Sequence, residues 1–177
     1  MLVSTLLALS TSIEDIQSIL AALKPAPGRM ELFAGTDTPR VVVDYAHTPD
    51  ALEKALASVK EHCNGSLWCV FGCGGERDIE KRALMGSVSQ MADKVVITND
   101  NPRSENPEQI AQQIASAASQ SAQIQLDRKQ AIISSIEQAG NNDWVLIAGK
   151  GHESTQQIGS EYLPFSDREL VSQAVSA

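Results

Sequence analysis

Polar residues that could hold a small zwitterion follow two short apolar segments of this chain. Residues 94–98 lead into 99–103, with the sequence Asn-Asp-Asn-Pro-Arg, and residues 144–148 lead into 149–153, with the sequence Gly-Lys-Gly-His-Glu. Both apolar segments are rich in β-branched residues, which is typical of buried strands. Because ligands of α/β sheets bind outside the carboxyl ends of the strands, we expect the two polar segments to form a binding site.

The side chains in these segments match the two charged ends of an amino acid. Arg103 can bind a carboxylate through two parallel hydrogen bonds, and Asp100 or Glu153 can bind an ammonium group. Each segment also has a simpler interpretation, because Asn-Pro favours a turn and both Arg103 and Lys150 could be solvated surface residues. Taken together, and expected on the ends of neighbouring strands, the two segments favour an amino-acid site.

Apolar periodicity predicts the elements that position these side chains. The predicted helices span 49–62, 79–91, 107–118 and 128–139, and the predicted strands span 30–35, 39–45, 67–71, 94–98, 124–126 and 144–148. In the helix over 79–91, we expect Leu84, Val88 and Met91 to face the core. This regular alternation predicts an α/β fold whose mostly parallel sheet has helices on both faces.

The two ends of the chain differ from this regular middle. Residues 1–23 predict two short helices, and the sequence Lys-Pro-Ala-Pro-Gly at 24–28 predicts a linker or hinge. Residues 155–158 and 161–165 predict an antiparallel hairpin near the C-terminus that adds a strand to the sheet. A capping box of Ser and Glu at 166–169 predicts a last helix.

Two further polar segments follow predicted strands. Asp44 could accept hydrogen bonds from ribose hydroxyls and His47 could stack on adenine, or Asp44 satisfies loop amides and His47 is solvated. Residues 71–78 (Phe-Gly-Cys-Gly-Gly-Glu-Arg-Asp) place three glycines after a strand, which indicates either close backbone approach to a ligand or a tight turn. Their spacing fits neither a dinucleotide fingerprint nor a P-loop. No obvious histidine would activate Cys73 in this segment.

Composition excludes several classes of function. The chain has 177 residues, 42% apolar content and a net charge of −8, which suits one domain with a short extension and argues against a nucleic-acid partner. Its three cysteines form no Cys-x-x-Cys pair, so they predict reduced thiols in a cytoplasmic protein rather than a zinc site. The apolar N-terminus lacks the basic start of a signal peptide, and no run is long enough to span a membrane.

Five motifs resemble, in order, those of the C-terminal part of the Mur ligases. They are Pro27-Gly28-Arg29-Met30-Glu31, Asp44-Tyr45-Ala46-His47-Thr48-Pro49, Gly72-Cys73-Gly74-Gly75 with Arg77-Asp78 and Lys81-Arg82, Asp100-Asn101-Pro102-Arg103, and Gly149-Lys150-Gly151-His152-Glu153. The resemblance implies a Rossmann-like C-terminal, amino-acid-binding domain over 27–177 that closes over a central ATPase domain. Residues 1–26 would then be the tail of that central domain plus a linker.

The resemblance also implies a reaction and its partners. ATP, with Mg²⁺, phosphorylates a carboxylate of a UDP-N-acetylmuramoyl dipeptide, and the amine of an incoming amino acid attacks the acyl phosphate. In the family, Asp-Asn-Pro-Arg marks enzymes that add meso-diaminopimelate rather than lysine. This fits Arg103, which can pair with the additional carboxylate of diaminopimelate. The pathway implied is cytoplasmic peptidoglycan synthesis.

Site residues follow from matching the motifs position by position. The amino-acid pocket would comprise Arg77, Asp100, Asn101, Pro102, Arg103, Gly149 and Glu153. The nucleotide contacts would be Arg29, Asp44 and His47, while Lys150 fits either role less well. The family's phosphate loop, magnesium ligands and modified lysine do not occur among these 177 residues. We therefore predict no catalytic or metal-binding residue in this chain, and no activity from the chain alone.

Three alternatives remain open at this point. The chain could belong to a lysine-adding or glutamate-adding relative, including the folylpolyglutamate type, which the arginine of Asp-Asn-Pro-Arg disfavours. It could be a non-catalytic module that binds a nucleotide or an amino acid. It could also contain a thiol switch formed by Cys69 and Cys73, for which the sequence offers no activating group.

Overall fold

The structure, a computed structural model, describes residues 2–23 and 25–176. The helices are α1 (Leu2–Ala8), α2 (Ile13–Ala22), α3 (Pro49–Lys60), α4 (Glu80–Ser89), α5 (Pro107–Ala115), α6 (Arg128–Gln138) and α7 (Asp167–Ser176). The strands are β1 (Glu31–Phe33), β2 (Arg40–Asp44), β3 (Leu67–Phe71), β4 (Lys94–Ile97), β5 (Gln123–Ile124), β6 (Trp144–Ala148), β7 (Thr155–Ile158) and β8 (Glu161–Pro164). Each element predicted from the sequence is present, with ends that differ by a few residues.

The main sheet has the strand order β1-β2-β6-β3-β4-β5. Strand β1 is antiparallel to β2, and all other neighbours are parallel, which confirms the α/β prediction. The expected contribution of the C-terminal hairpin to this sheet is wrong, because β7 and β8 form a separate two-stranded sheet. The hairpin instead lies against the loop after β4, where Gln156 Nε2 donates to Asp100 O and Gln157 N donates to Asn101 Oδ1.

Both faces of the sheet are covered, as the apolar strand sequences require. Alternate side chains of each strand point to opposite faces, so in β6 Leu146 packs with α3, α4 and α5 while Ile147 packs with α6 and α7. Helices begin where the sequence places caps: Thr48, Asn106 and Asp127 each accept a hydrogen bond from a main-chain amide of the first turn. The layers therefore hold the strand ends in fixed positions.

The inward face expected for the helix over 79–91 is correct for Val88 and Met91, which pack against the core, and wrong for Leu84. Leu84 is 56% exposed, whereas Arg82 is 1% exposed and lies on the buried side with Met85. Arg82 donates to the carboxylate of Glu105 at 2.9 and 3.0 Å and to Gln113 Oε1 at 2.6 Å. These bonds satisfy Nη1 and Nη2 of the guanidinium away from water, while Nε has no partner among the described residues, so an arginine takes the inward position that apolar periodicity assigns to leucine.

The N-terminal helices and the linker meet the domain at Gly28, while Lys24 of the predicted hinge lies outside the described residues. Gly28 has φ of +65°, and a Cβ at this position would lie 2.2 Å from the main chain of Gly151. Its N–H donates to Glu31 Oε2, and Glu31 is paired with Arg168 of α7. The chain is therefore fixed to the domain from Gly28 onward.

A buried ion pair joins the carboxyl ends of two strands. Arg128, at the start of α6, donates from Nε and Nη2 to the carboxylate of Asp167 at 2.9 and 2.7 Å, and both side chains are fully buried. The same guanidinium donates to Asn99 O, after β4, and to Ala148 O, at the end of β6, both at 3.1 Å. One side chain thus positions the starts of both polar loops noted in the sequence.

We predict that Arg128→Met lowers the free energy of unfolding by about 3–5 kcal/mol, because it leaves the Asp167 carboxylate buried without its partner. Urea unfolding followed by circular dichroism measures the change. The control is Lys129→Met, since Lys129 is exposed and adjacent in the same helix turn. Equal stability of the two variants would show that the ion pair does not hold the domain together.

Candidate functional site

A cleft with a volume of about 480 Å³ opens at the carboxyl ends of the parallel strands. Among the predicted pocket residues, Arg77, Asp100, Asn101, Arg103, Gly149 and Glu153 line it. Pro102 is buried behind the wall rather than in it. His47 also lines the cleft, whereas Arg29 and Asp44 lie outside the lining. The arginine and the glutamate expected to bind opposite charges, Arg103 and Glu153, therefore face one space.

The two polar loops meet at the cleft although their strands are not the neighbours that the sequence had led us to expect. In the sheet, β3 lies between β4 and β6. The glycine loop after β3 allows the loop after β4 to pass close over it. A Cβ on Gly72 would lie 2.1 Å from Thr98 O, and one on Gly75 would lie 2.0 Å from Pro102 O. Gly72 and Gly75 thus allow the loop after β4 to approach closely. Among the glycines of the loop after β3, only Gly74 also lines the cleft.

The anionic side of the cleft is organised around Lys150. Its ammonium is fully buried and donates to Asn101 Oδ1 at 3.0 Å and to Glu153 Oε2 at 2.9 Å. Asn101 Nδ2 in turn donates to Glu153 Oε2 at 3.1 Å. Asp100 Oδ1 lies 3.7 Å from the same ammonium and makes no hydrogen bond with the described residues. Two acids and one amide therefore surround one buried cation.

The two acids of this cluster have opposite pKa shifts. Burial by itself would raise the pKa of Glu153, but hydrogen bonds from Lys150 and Asn101 outweigh it and lower that pKa below the usual value. Burial raises the pKa of Asp100, and the nearby charges of Arg128 and Lys150 offset only part of this effect. Glu153 is therefore an anion at neutral pH, and an added cation would stabilise the charged form of Asp100.

Cations also line the cleft. Arg103 has φ of +53°, an uncommon conformation for a residue with a side chain, and Nη1 donates to Gly75 O at 2.6 Å. Arg103 and Arg77 both line the cleft. Lys81 also lines it and donates to His47 O at 3.0 Å. The lining therefore contains both donors for carboxylates and acceptors for an ammonium group.

The predicted nucleotide residues gather around Tyr45 beside the cleft. The guanidinium of Arg29 lies 4.5 Å from the Tyr45 ring centroid, and the ring of His47 lies 4.7 Å from it in a T-shaped arrangement. The carboxylate of Asp44 accepts hydrogen bonds from Met30 N and Ala46 N, both at 2.8 Å. Arg29 and His47 are exposed, while Asp44 fixes the backbone beneath them.

The described residues give little support to a thiol switch, a metal site or a membrane-spanning helix. Burial raises the pKa of the Cys69 and Cys73 thiols to about 12, so both stay protonated at neutral pH. Over 2–23 and 25–176, no three His, Cys, Asp or Glu side chains are grouped so that they could hold a metal ion. Over the same ranges, no helix has the length and apolar character needed to cross a bilayer.

Sequence reasoning missed several residues that build the cleft. Tyr45, Thr48, Gly74, Asp78 and Lys81 line it, and each lies within or next to a motif that was recognised. The buried positions of Arg128 and Asp167 had no comparable signal, because nothing in the sequence distinguishes them from solvated residues at a helix start.

Comparison with known proteins is consistent with this geometry. The UDP-N-acetylmuramoyl-L-alanyl-D-glutamate–2,6-diaminopimelate ligase of Alkalilimnicola ehrlichii is 52% identical over 171 residues, which is 96% of this chain and 34% of that protein. The ligase of the same name from Haemophilus influenzae is 49% identical over 173 residues, covering 96% of this chain and 36% of the relative. The chain thus spans about a third of the length of these relatives.

Solved structures with a similar fold include a ligase with the same name as these relatives. A structure of a UDP-N-acetylmuramoyl-L-alanyl-D-glutamate–2,6-diaminopimelate ligase superposes with a TM-score of 0.80 at 40% identity, covering 95% of this chain and 35% of that one. A bifunctional folylpolyglutamate synthase/dihydrofolate synthase from Yersinia pestis shares the fold, with a TM-score of 0.60 at 24% identity over 78% of this chain and 32% of its own. The family model for the Mur ligase, glutamate ligase domain, matches residues 28–151. Since that match covers most of the sequence, the chain belongs to the Mur ligase family.

Proposed function

We propose that this chain is the amino-acid-binding, C-terminal domain of an ATP-dependent ligase. The ligase adds meso-diaminopimelate to UDP-N-acetylmuramoyl-L-alanyl-D-glutamate through an acyl phosphate, in cytoplasmic peptidoglycan synthesis. The observation that carries this proposal is that Arg77, Arg103, Asp100 and Glu153 line one cleft. A diamino diacid has carboxylates and ammonium groups at both ends, so it needs donors and acceptors in one site. The names of the most similar relatives agree with this substrate.

The chain's role in the reaction would be to bind and orient the attacking amine. Arg103 is held in place by its bond to Gly75 O, so it can pair with the distal carboxylate with little loss of side-chain freedom. Lysine lacks that carboxylate and would leave the guanidinium without a partner. The amine must also reach an acyl phosphate held by another part of the ligase, so domain closure about the linker is expected.

ATP and Mg²⁺ would be held mainly by a central domain outside these residues. Arg29, Tyr45 and His47 form a cationic and aromatic surface that suits a purine or its phosphates. Asp44 would position this surface, and its remaining lone pairs could accept from a ribose. Within the described ranges, no three His, Cys, Asp or Glu side chains are grouped to hold a metal ion. Exposed apolar residues of α1 and α2, such as Leu7 and Ile13, fit the proposal that 1–26 adjoin the central domain.

We predict that residues 1–177 bind meso-diaminopimelate and bind lysine at least tenfold more weakly, because one charge-assisted hydrogen-bonded pair is worth about 1.5–3 kcal/mol. Isothermal calorimetry of the chain with each amino acid measures both affinities. The same chain should form no ADP when supplied with ATP and all substrates. Equal affinity for the two amino acids would favour the lysine-adding alternative, and ADP formation would refute the need for another domain.

We predict that Arg103→Ala, made in the full-length ligase, raises the KM for meso-diaminopimelate by roughly ten- to a hundredfold, from the loss of the same charged pair. The KM for ATP should stay within about twofold, since Arg103 lies in the amino-acid cleft. The control is Arg40→Ala, because Arg40 is exposed at the opposite end of β2. Equal increases of both KM values would contradict the assignment of Arg103 to the amino acid.

A further inference from the structure

Lys150 is a fully buried cation that lies behind the wall of the cleft and is not part of its lining. A buried ammonium must be paired, and it can donate three hydrogen bonds but accept none. Its partners are Asn101 Oδ1 at 3.0 Å and Glu153 Oε2 at 2.9 Å, with Asp100 Oδ1 at 3.7 Å. All three partners line the cleft. Lys150 is therefore placed to control how these groups face a ligand.

The first consequence concerns the orientation of the Asn101 amide. Because Lys150 only donates, the Asn101 atom facing it must be the oxygen. The main-chain N–H of Gln157 donates to the same oxygen at 2.9 Å, which fixes the orientation independently. The amide nitrogen is then directed to Glu153, to which it donates one hydrogen. Its second hydrogen has no acceptor among the described residues and is available to a ligand.

The second consequence concerns Glu153 and the local charge. Its Oε2 atom accepts from both Lys150 and Asn101, whereas Oε1 accepts no hydrogen bond from the described residues. Lys150 pairs with the Glu153 carboxylate, while burial raises the pKa of Asp100 and so disfavours its charged form. An ammonium group of the ligand beside these acids would stabilise the charged form of Asp100.

We propose that Lys150 is a positioning residue that determines which atoms of the amino-acid pocket donate hydrogen bonds to a ligand and which accept them. By engaging Asn101 Oδ1 and Glu153 Oε2, it leaves an Asn101 N–H next to a free Glu153 oxygen. This adjacent donor and acceptor match the carboxylate and ammonium carried on one carbon of an α-amino acid. Lys150 itself does not touch the ligand. The inference rests on the proposed function and assigns this part of the cleft to an α-amino-acid head group.

The first test uses Asn101→Asp in the full-length ligase. The new carboxylate can still accept from Lys150 and from Gln157 N, but it has no N–H for Glu153 or for a ligand. We expect the KM for meso-diaminopimelate to rise roughly ten- to a hundredfold, from one lost hydrogen bond to a charged group, with the KM for ATP within about twofold. An unchanged KM for meso-diaminopimelate would overturn the inferred orientation of the amide.

The second test is a cycle that combines Lys150→Met with the paired variant Asn101→Ala/Glu153→Ala. If Lys150 acts through these two side chains, adding Lys150→Met to the paired variant should raise the KM for meso-diaminopimelate no more than about threefold further. Independent roles would instead multiply the effects of Lys150→Met and of the paired variant and would overturn the proposal. Lys94→Met is the matched control, since Lys94 is exposed at the far end of β4. Urea unfolding of each variant verifies that the compared proteins are folded.

The outcomes separate this inference from the proposed function. If the wild-type chain binds no meso-diaminopimelate in calorimetry, both fail together. If the wild-type chain binds it and Asn101→Asp binds equally well, only the role of Lys150 fails. Both the proposed function and the role of Lys150 are supported if three results occur together. The wild type binds meso-diaminopimelate, Asn101→Asp weakens that binding, and Lys150→Met adds little once its partners have been removed.

Discussion

The candidate site depends on a single buried guanidinium. Arg128 binds Asp167 and the main-chain oxygens of Asn99 and Ala148, so it joins the ends of two strands that are not neighbours in the sheet. A charged group in this position is costly unless all its donors are used, and that requirement restricts the backbone to one arrangement. The loops that begin at those oxygens therefore start from fixed points, which is what a binding site with several charged groups requires.

A second buried cation extends this constraint to the side chains. Arg128 fixes where the loops start, whereas Lys150 fixes how Asn101 and Glu153 are oriented. The two cations also act on the same acid, because both lower the pKa of Asp100 against the larger effect of burial. The outcome is a cleft whose acceptors are formed before a ligand arrives, so little reorganisation is needed on binding.

The sequence was sufficient to predict the order of elements and most of the cleft, since both depend on local patterns. Strand–helix alternation predicts a parallel sheet, and polar residues at strand ends must then gather at one edge. The sequence could not predict the burial of Arg82 in α4, because it depends on Glu105 and Gln113, which lie more than twenty residues away. The hairpin was misplaced for the same reason, since its partner is the Asp100–Arg103 loop rather than a sheet edge.

The glycines of the site connect the linker to the candidate cleft. Gly28 packs directly on Gly151, and a Cβ on Gly151 would in turn lie 2.7 Å from Tyr45 Cβ. Gly151 belongs to the same loop as Lys150 and Glu153, and Tyr45 lines the cleft. Because these main-chain contacts leave no space for adjustment, the linker cannot rotate at Gly28 without displacing the loop that carries the anionic side of the pocket. If a central domain precedes this one, as proposed above, the pivot between them would lie N-terminal to Gly28, and closure would move the cleft as a rigid body.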